Sequence, residues 1–152
     1  MNTEVMFSSI SNEWETPKDL FEKLNNEFKF TLDPCCTFLN KTCENYFTKE
    51  DNGLTKGWGG NVAFVNPPYG REIGKWVKKC HDESNGGTLC VMLIPSRTDT
   101  KWFHEYILGK AEIRFLKGRL KFINKLLPSY VENGKLSPAP FPSMIVVFKS
   151  LK

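Results

Sequence analysis

Val62-Ala63-Phe64-Val65 runs directly into Asn66-Pro67-Pro68-Tyr69-Gly70, and the reading of this stretch decides the fold. Four apolar residues bounded by a polar turn read as a short strand buried on both faces. Two successive prolines then fix the backbone and remove two N–H groups, so the strand stops there. Downstream, Ile73, Trp76, Val77 and Cys80 recur at helical spacing, and Gly86-Gly87 closes that helix. Residues 88–94 form a second apolar strand, stopped by Pro95. Strand, helix and strand in that order predict two parallel strands joined by a crossover helix.

Working outward, Thr16-Pro17-Lys18-Asp19 opens an earlier helix, with Thr16 as cap, Pro17 in the first turn and Asp19 at capping-box spacing. Leu20, Phe21, Leu24 and Phe28 give that helix a buried stripe. Phe30-Thr31-Leu32 reads as a short strand ending at Asp33-Pro34, and residues 37–60, broken by Gly53, Gly57, Gly59 and Gly60, as mostly loop. Beyond Pro95, Thr98 can cap a helix carrying Trp102, Phe103, Tyr106 and Ile107 and ending near Gly109. Residues 111–116 read as a strand, 119–123 as a further strand candidate, 124–142 as a Pro-rich surface loop, and 143–149 as the last strand. Residues 1–13 read as a loose arm. The expected architecture is α/β, a mostly parallel sheet with an antiparallel C-terminal strand and helices on both faces, in one domain over residues 1–152.

Composition agrees with a globular chain of 152 residues, 40% hydrophobic and 25% charged. No run of eighteen apolar residues occurs, which argues against a membrane partner, and the first ten residues lack the pattern of a secretory signal. The five cysteines, Cys35, Cys36, Cys43, Cys80 and Cys90, make an odd count that suits reduced thiols in a cytoplasm. They contain no C-x-x-C pair, and His81 and His104 lie far away in sequence, so free thiols are expected and no metal. The net charge of +4 is compatible with a nucleic-acid partner.

In an open α/β sheet, ligands bind beyond the carboxyl ends of the strands, which is where Asn66-Pro67-Pro68-Tyr69 stands. A planar amino group has two N–H donors. The Asn66 side-chain oxygen and the Pro67 carbonyl could accept both, with Pro68 stiffening the turn and the Tyr69 ring stacking on an attached base. A plain Pro-Pro turn with a capping Asn and a half-buried Tyr is the competing reading.

Asn-Pro-Pro-Tyr after an apolar strand resembles the catalytic motif of S-adenosylmethionine-dependent amino-methyltransferases. Glu13-Trp14-Glu15-Thr16-Pro17, Leu32-Asp33-Pro34-Cys35, Asp51-Asn52-Gly53-Leu54, residues 66–70, Leu93-Ile94-Pro95-Ser96-Arg97-Thr98-Asp99-Thr100 and Lys117-Gly118-Arg119-Leu120-Lys121-Phe122 follow one another as in phage-type Dam-like DNA N6-adenine methyltransferases. The resemblance covers about residues 13–149. It implies a Rossmann-like methyltransferase fold, S-adenosylmethionine as cofactor, DNA as partner, and direct in-line transfer of a methyl group to adenine N6 on a flipped-out base. It also implies a phage or prophage protein working in a bacterial cytoplasm.

The resemblance further implies roles for matching positions. Trp14, Thr16 and Pro17 line the methionine end of the cofactor, Thr16 serving as ligand contact, helix cap or both. Asp33 pairs with the methionine ammonium. Cys35 opens the turn where a glycine-rich loop is usual in the wider class, and Asn40 or Glu44 meets the ribose. Asp51 accepts from the cofactor adenine, or is simply a turn residue of Asp-Asn-Gly. Arg71, Arg97, Lys117, Arg119 and Lys121 are candidates for DNA phosphates. Phe122 is a second wall for the base or an ordinary core Phe. RNA adenine and protein glutamine remain alternative substrates because some of their methyltransferases share the tetrapeptide. A catalytically inactive DNA- or cofactor-binding module is the alternative from another class. Recognition sequence and oligomeric state are left open.

Overall fold

The structure, a computed structural model, describes residues 14–122 and 138–149. One mixed sheet is built from β1 (Val62–Val65), β2 (Leu89–Pro95), β3 (Glu112–Phe115) and β4 (Ser143–Phe148), in the order β1-β2-β4-β3. β1 and β2 are parallel, and β4 runs antiparallel to both β2 and β3. Thus β1, β2 and β3 point one way and the C-terminal strand alone runs against them. The apolar runs form the middle of the sheet because both faces are covered: every residue of β4 is buried, as are the last six of β2.

Two helices cover those faces, α1 (Lys18–Phe28) and α2 (Ile73–Asn85). Phe64 of β1 meets Phe21 of α1, with ring centroids 5.2 Å apart. Phe148 of β4 meets His81 of α2. The register puts Phe64 opposite Val91 and Val147, whereas Phe148 aligns with Cys90 and Ala63. Side chains alternate along a strand, so α1 and α2 lie on opposite faces. Ile73, Trp76, Val77 and Cys80 are buried as their spacing predicts. Arg114 of β3 clamps Glu27 of α1 through two bonds of 2.7 and 2.6 Å, tying α1 to the far edge of its face.

Several local expectations need correction. Pro17, not Thr16, occupies the N-cap of α1, and no side chain caps that helix. A proline already holds the extended cap geometry, which frees the Thr16 hydroxyl for another partner. The strand read at residues 30–32 shrinks to single bridges, Leu32 with Ala63 and Asp33 with Tyr46, because Pro34 ends the pairing. Thr100, not Thr98, accepts from the Phe103 N–H and starts the following helical segment, which winds as a π-type turn over Phe103–Ile107. Residues 119–122 form no strand; Leu120 is held only by the Ala139 N–H on its carbonyl. The N-terminal arm 1–13 and residues 123–137 of the expected surface loop lie outside the described residues. The described end of that loop is not surface: Ala139 is buried and Phe141 packs on the core.

Three strand ends meet at one edge of the sheet. β1 ends there at Asn66, β2 at Ser96, and antiparallel β4 begins there at Ser143, paired with Pro95.

Candidate functional site

The prolines leave Asn66 little backbone freedom, and its side chain is fixed in turn. Asn66 Nδ2 donates to the Trp14 carbonyl at 2.6 Å and to Thr16 Oγ1 at 3.0 Å. A backbone carbonyl can only accept, so the end of the amide facing Trp14 is the NH2 group. Both amide hydrogens are thereby used, and Oδ1 is turned the other way. That oxygen is buried and has no partner among the described residues. A buried acceptor left bare costs about 1–3 kcal/mol, a cost that a ligand bringing an N–H removes. The neighbouring Pro67 is buried, and no backbone N–H of the described residues bonds its carbonyl. Two unengaged amide oxygens in succession are what an incoming NH2 group requires.

Around this turn stand four rings from four parts of the chain. Tyr69 is 4% exposed and donates its hydroxyl to the Leu93 carbonyl at 3.1 Å. Burial pushes its phenol well above the ordinary range, so it stays neutral. Phe122 and Phe141 lie edge-on to it, with centroids 6.0 and 5.5 Å away. Trp14 contacts both of them at 5.6 Å. Phe122 is therefore part of the site's aromatic wall and of the core at once. Phe141 was missed in the sequence because it sits between Pro140 and Pro142, where no period exists to mark it.

The cofactor candidates fall into two loops that meet. Asp33 is buried and already bonded: Oδ2 accepts from Thr42 N–H at 3.0 Å and from the Thr42 hydroxyl at 2.8 Å, and Oδ1 accepts from Cys35 N–H at 3.4 Å. Burial raises its pKa despite these bonds. Thr42, which no motif marked, thus anchors the loop after Asp33. Asn40 closes the tip of that loop in a reciprocal pair with Thr37, its Oδ1 taking the Thr37 N–H at 2.7 Å. Glu44 is exposed on the same loop. Asp51 is exposed, and its Oδ2 accepts from Thr48 N–H and hydroxyl at 2.9 and 3.1 Å, bonds that hold its carboxyl below the usual range. Both bonds fall on one oxygen, which leaves Oδ1 for an outside donor. Gly53 brings the two loops together, since a Cβ there would stand 2.1 Å from the Pro34 carbonyl oxygen. Pro17 is half-buried beside the Trp14–Thr16 segment.

Cys35 adjoins the turn, with the Asn66 backbone N–H directed at its sulfur, and burial pushes its thiol well up. The Cys36 thiol is pushed up to about 12, mainly by burial and by Asp33. All five cysteines are free thiols, and these two are protonated, unreactive ones.

Arg71, Arg97, Lys117, Arg119 and Lys121 are all exposed. Arg71 follows the β1 turn and Arg97 follows β2. Lys117-Gly118-Arg119 follows β3, turning through Gly118 at φ 74°. Since these three strands share a direction, four of the cations stand at the edge that carries Asn66. Arg119 also donates to the Ala139 carbonyl at 3.4 Å. Among the described residues no helix is long and apolar enough to cross a membrane.

Comparison with known proteins places the chain. The model of the family described as DNA N-6-adenine-methyltransferase (Dam) matches residues 5–152. A DNA N-6-adenine-methyltransferase of Escherichia phage T1 is 32% identical over 115 residues, 74% of this chain and 48% of that protein. Another, of Haemophilus phage HP1, is 29% identical over 139 residues, 90% of this chain and 78% of that one. The chain thus spans about half the length of the phage T1 relative. With the family model matching nearly from end to end, the chain belongs to the DNA N-6-adenine-methyltransferase (Dam) family.

Proposed function

We propose that this chain transfers a methyl group from S-adenosylmethionine to the N6 amino group of adenine in DNA, on a base turned out of the duplex. The observation that carries the reading is the bare, buried Asn66 Oδ1, oriented by Trp14 and Thr16 beside the Pro67 carbonyl. An adenine amine is a poor nucleophile because its lone pair is delocalised into the ring. Two acceptors holding both N–H groups favour a pyramidal nitrogen and stabilise the positive charge that develops on it. Both are neutral amide oxygens, so they hold the protons without removing them before attack. The surplus proton leaves to water afterwards. Tyr69 supplies stacking rather than acid–base chemistry, and Phe122 and Phe141 complete the wall against which an extrahelical base rests.

The donor set suits the cofactor. Asp33, a carboxylate with lone-pair room beyond its three internal bonds, would meet the methionine ammonium, and Asp51 Oδ1 the adenine amine. When bound, S-adenosylmethionine supplies an electrophilic methyl group on a sulfonium. Trp14, Thr16 and Pro17 would line its methionine end, Cys35 the adjoining turn, and Asn40 or Glu44 the ribose. Strand order and helices on both faces support a Rossmann-like methyltransferase fold. Arg71, Arg97, Lys117, Arg119 and Lys121 would take the phosphates of the duplex.

Incubation with methyl-labelled S-adenosylmethionine and separate DNA, RNA and protein substrates tests the reading. Label on adenine N6 of DNA is expected, and Asn66→Ala should abolish it while cofactor binding falls much less. Label confined to RNA or protein, or an Asn66→Ala variant with normal turnover, overturns it.

A further inference from the structure

Three buried side-chain polar atoms lack a partner among the described residues: Asn66 Oδ1, Ser96 Oγ and Ser143 Oγ. All three stand at the same sheet edge, at the ends of β1 and β2 and the start of β4. Ser143 is the more enclosed of the two serines, with 1% of its surface exposed. Alternation from Val147 and Ile145 puts its side chain on the face that carries Phe64 and α1. Asn66 is on that face too, bonded to Trp14 and Thr16 at the approach to α1. Ser96, next to Pro95, points to the other face by the same alternation.

Register fixes the separation. Asn66 continues β1 opposite Leu93, and Ser143 pairs with Pro95 two strands away. Strand spacing and rise place their Cα atoms about 12 Å apart. That is the span of a purine with a hydrogen bond at each end. Asp33 lies on the opposite side of β1 from Ser143, since Leu32 bridges β1 on the edge away from β2. Ser143 therefore stands on the substrate side of the catalytic turn, two residues from Phe141 of the aromatic wall.

We propose that Ser143 binds the target adenine, its hydroxyl donating to ring nitrogen N3 on the side away from the amine held by Asn66. This rests on the reading of Asn66 given above. A lone neutral hydroxyl is a weak ligand for an anion and matches an uncharged ring nitrogen. The bare hydroxyl is a cost in the free protein and a contact in the complex.

The test is a cycle of enzyme and base variants. Wild type and Ser143→Ala are assayed for single-turnover methylation of duplexes whose target is adenine, 3-deazaadenine or 7-deazaadenine. Ser143→Ala should melt no lower than wild type, since it removes an unpaired buried hydroxyl. It should methylate adenine about tenfold more slowly, the worth of one hydrogen bond. Wild type should lose a similar factor on 3-deazaadenine, and Ser143→Ala should lose nothing more on it. Ser96→Ala should leave the 3-deaza penalty in place. Normal turnover by Ser143→Ala, penalties that multiply, or coupling to N7 instead of N3 overturns the assignment. A wild-type enzyme indifferent to 3-deazaadenine overturns it however the variant folds. If wild type methylates no DNA adenine at all, it is the function proposed above that fails.

Discussion

The Thr16 hydroxyl and the Asn66 side-chain amide, separated by 50 residues of chain, meet at 3.0 Å. With the Trp14 carbonyl, that contact uses both amide hydrogens and leaves Oδ1 facing the site. Thr16→Val keeps the shape and removes the acceptor, so the amide retains one anchor instead of two. Single-turnover methylation should slow about tenfold, the worth of one hydrogen bond, with little change in melting temperature. Thr16→Ser should restore the rate. A Thr16→Val enzyme with the wild-type rate constant would remove Thr16 from any orienting role.

Thr16 also marks where reading the chain stopped. A hydroxyl before a helix suits a cap and a ligand contact equally, and only the backbone of Pro17 decides between them. Strands β1, β2 and β4 were legible because both faces are buried and the apolar runs are continuous. The α2 stripe was legible because Ile73, Trp76, Val77 and Cys80 repeat with the helix. Asn66 was legible because it follows a strand end directly. Thr42, Phe141 and Ser143 were not, since their roles come from long-range contacts that leave no local period. Choosing Thr98 over Thr100 failed for the same reason as Thr16: two hydroxyls two residues apart satisfy one pattern.

Gly53 permits the backbone contact with Pro34 that seats the Asp51 loop against the Asp33 loop. A methyl group there meets a backbone oxygen that cannot swing away, so the loops must part. Gly53→Ala should destabilise the fold by about 1–3 kcal/mol, read from urea unfolding, and weaken cofactor binding measured by calorimetry. An unchanged midpoint would show that the loops meet in some other way.

Burial raises the Asp33 carboxyl above its ordinary value of 3.8, so the folded state holds this proton more tightly than the unfolded chain does. Stability from this group is full below the unfolded value and is lost as pH rises through the folded one. Asp51 and Asp82, with lowered values, act in the opposite direction and lose their contribution as pH falls. The difference in unfolding free energy between wild type and Asp33→Asn isolates the first group. It should shift against wild type as pH climbs from below 3.8 and flatten above the folded pKa. A flat difference across that range would mean that Thr42 and Cys35 outweigh burial.

Lys117 and Arg119 flank the turn at the carboxyl end of β3, at the edge that carries Asn66, whereas Lys149 follows β4 at the opposite edge and pairs with Glu112. Each phosphate contact releases counterions, so the logarithm of affinity falls against the logarithm of salt with a slope of about −0.9 per contact. Replacing Lys117 and Arg119 together by Ala should make that slope shallower by about 2, with no change in which adenine is methylated. Lys149→Ala should leave the slope alone, since its ammonium faces away from a duplex laid across the Asn66 edge. Equal effects from the two edges would mean that the duplex is held by net charge rather than by this face.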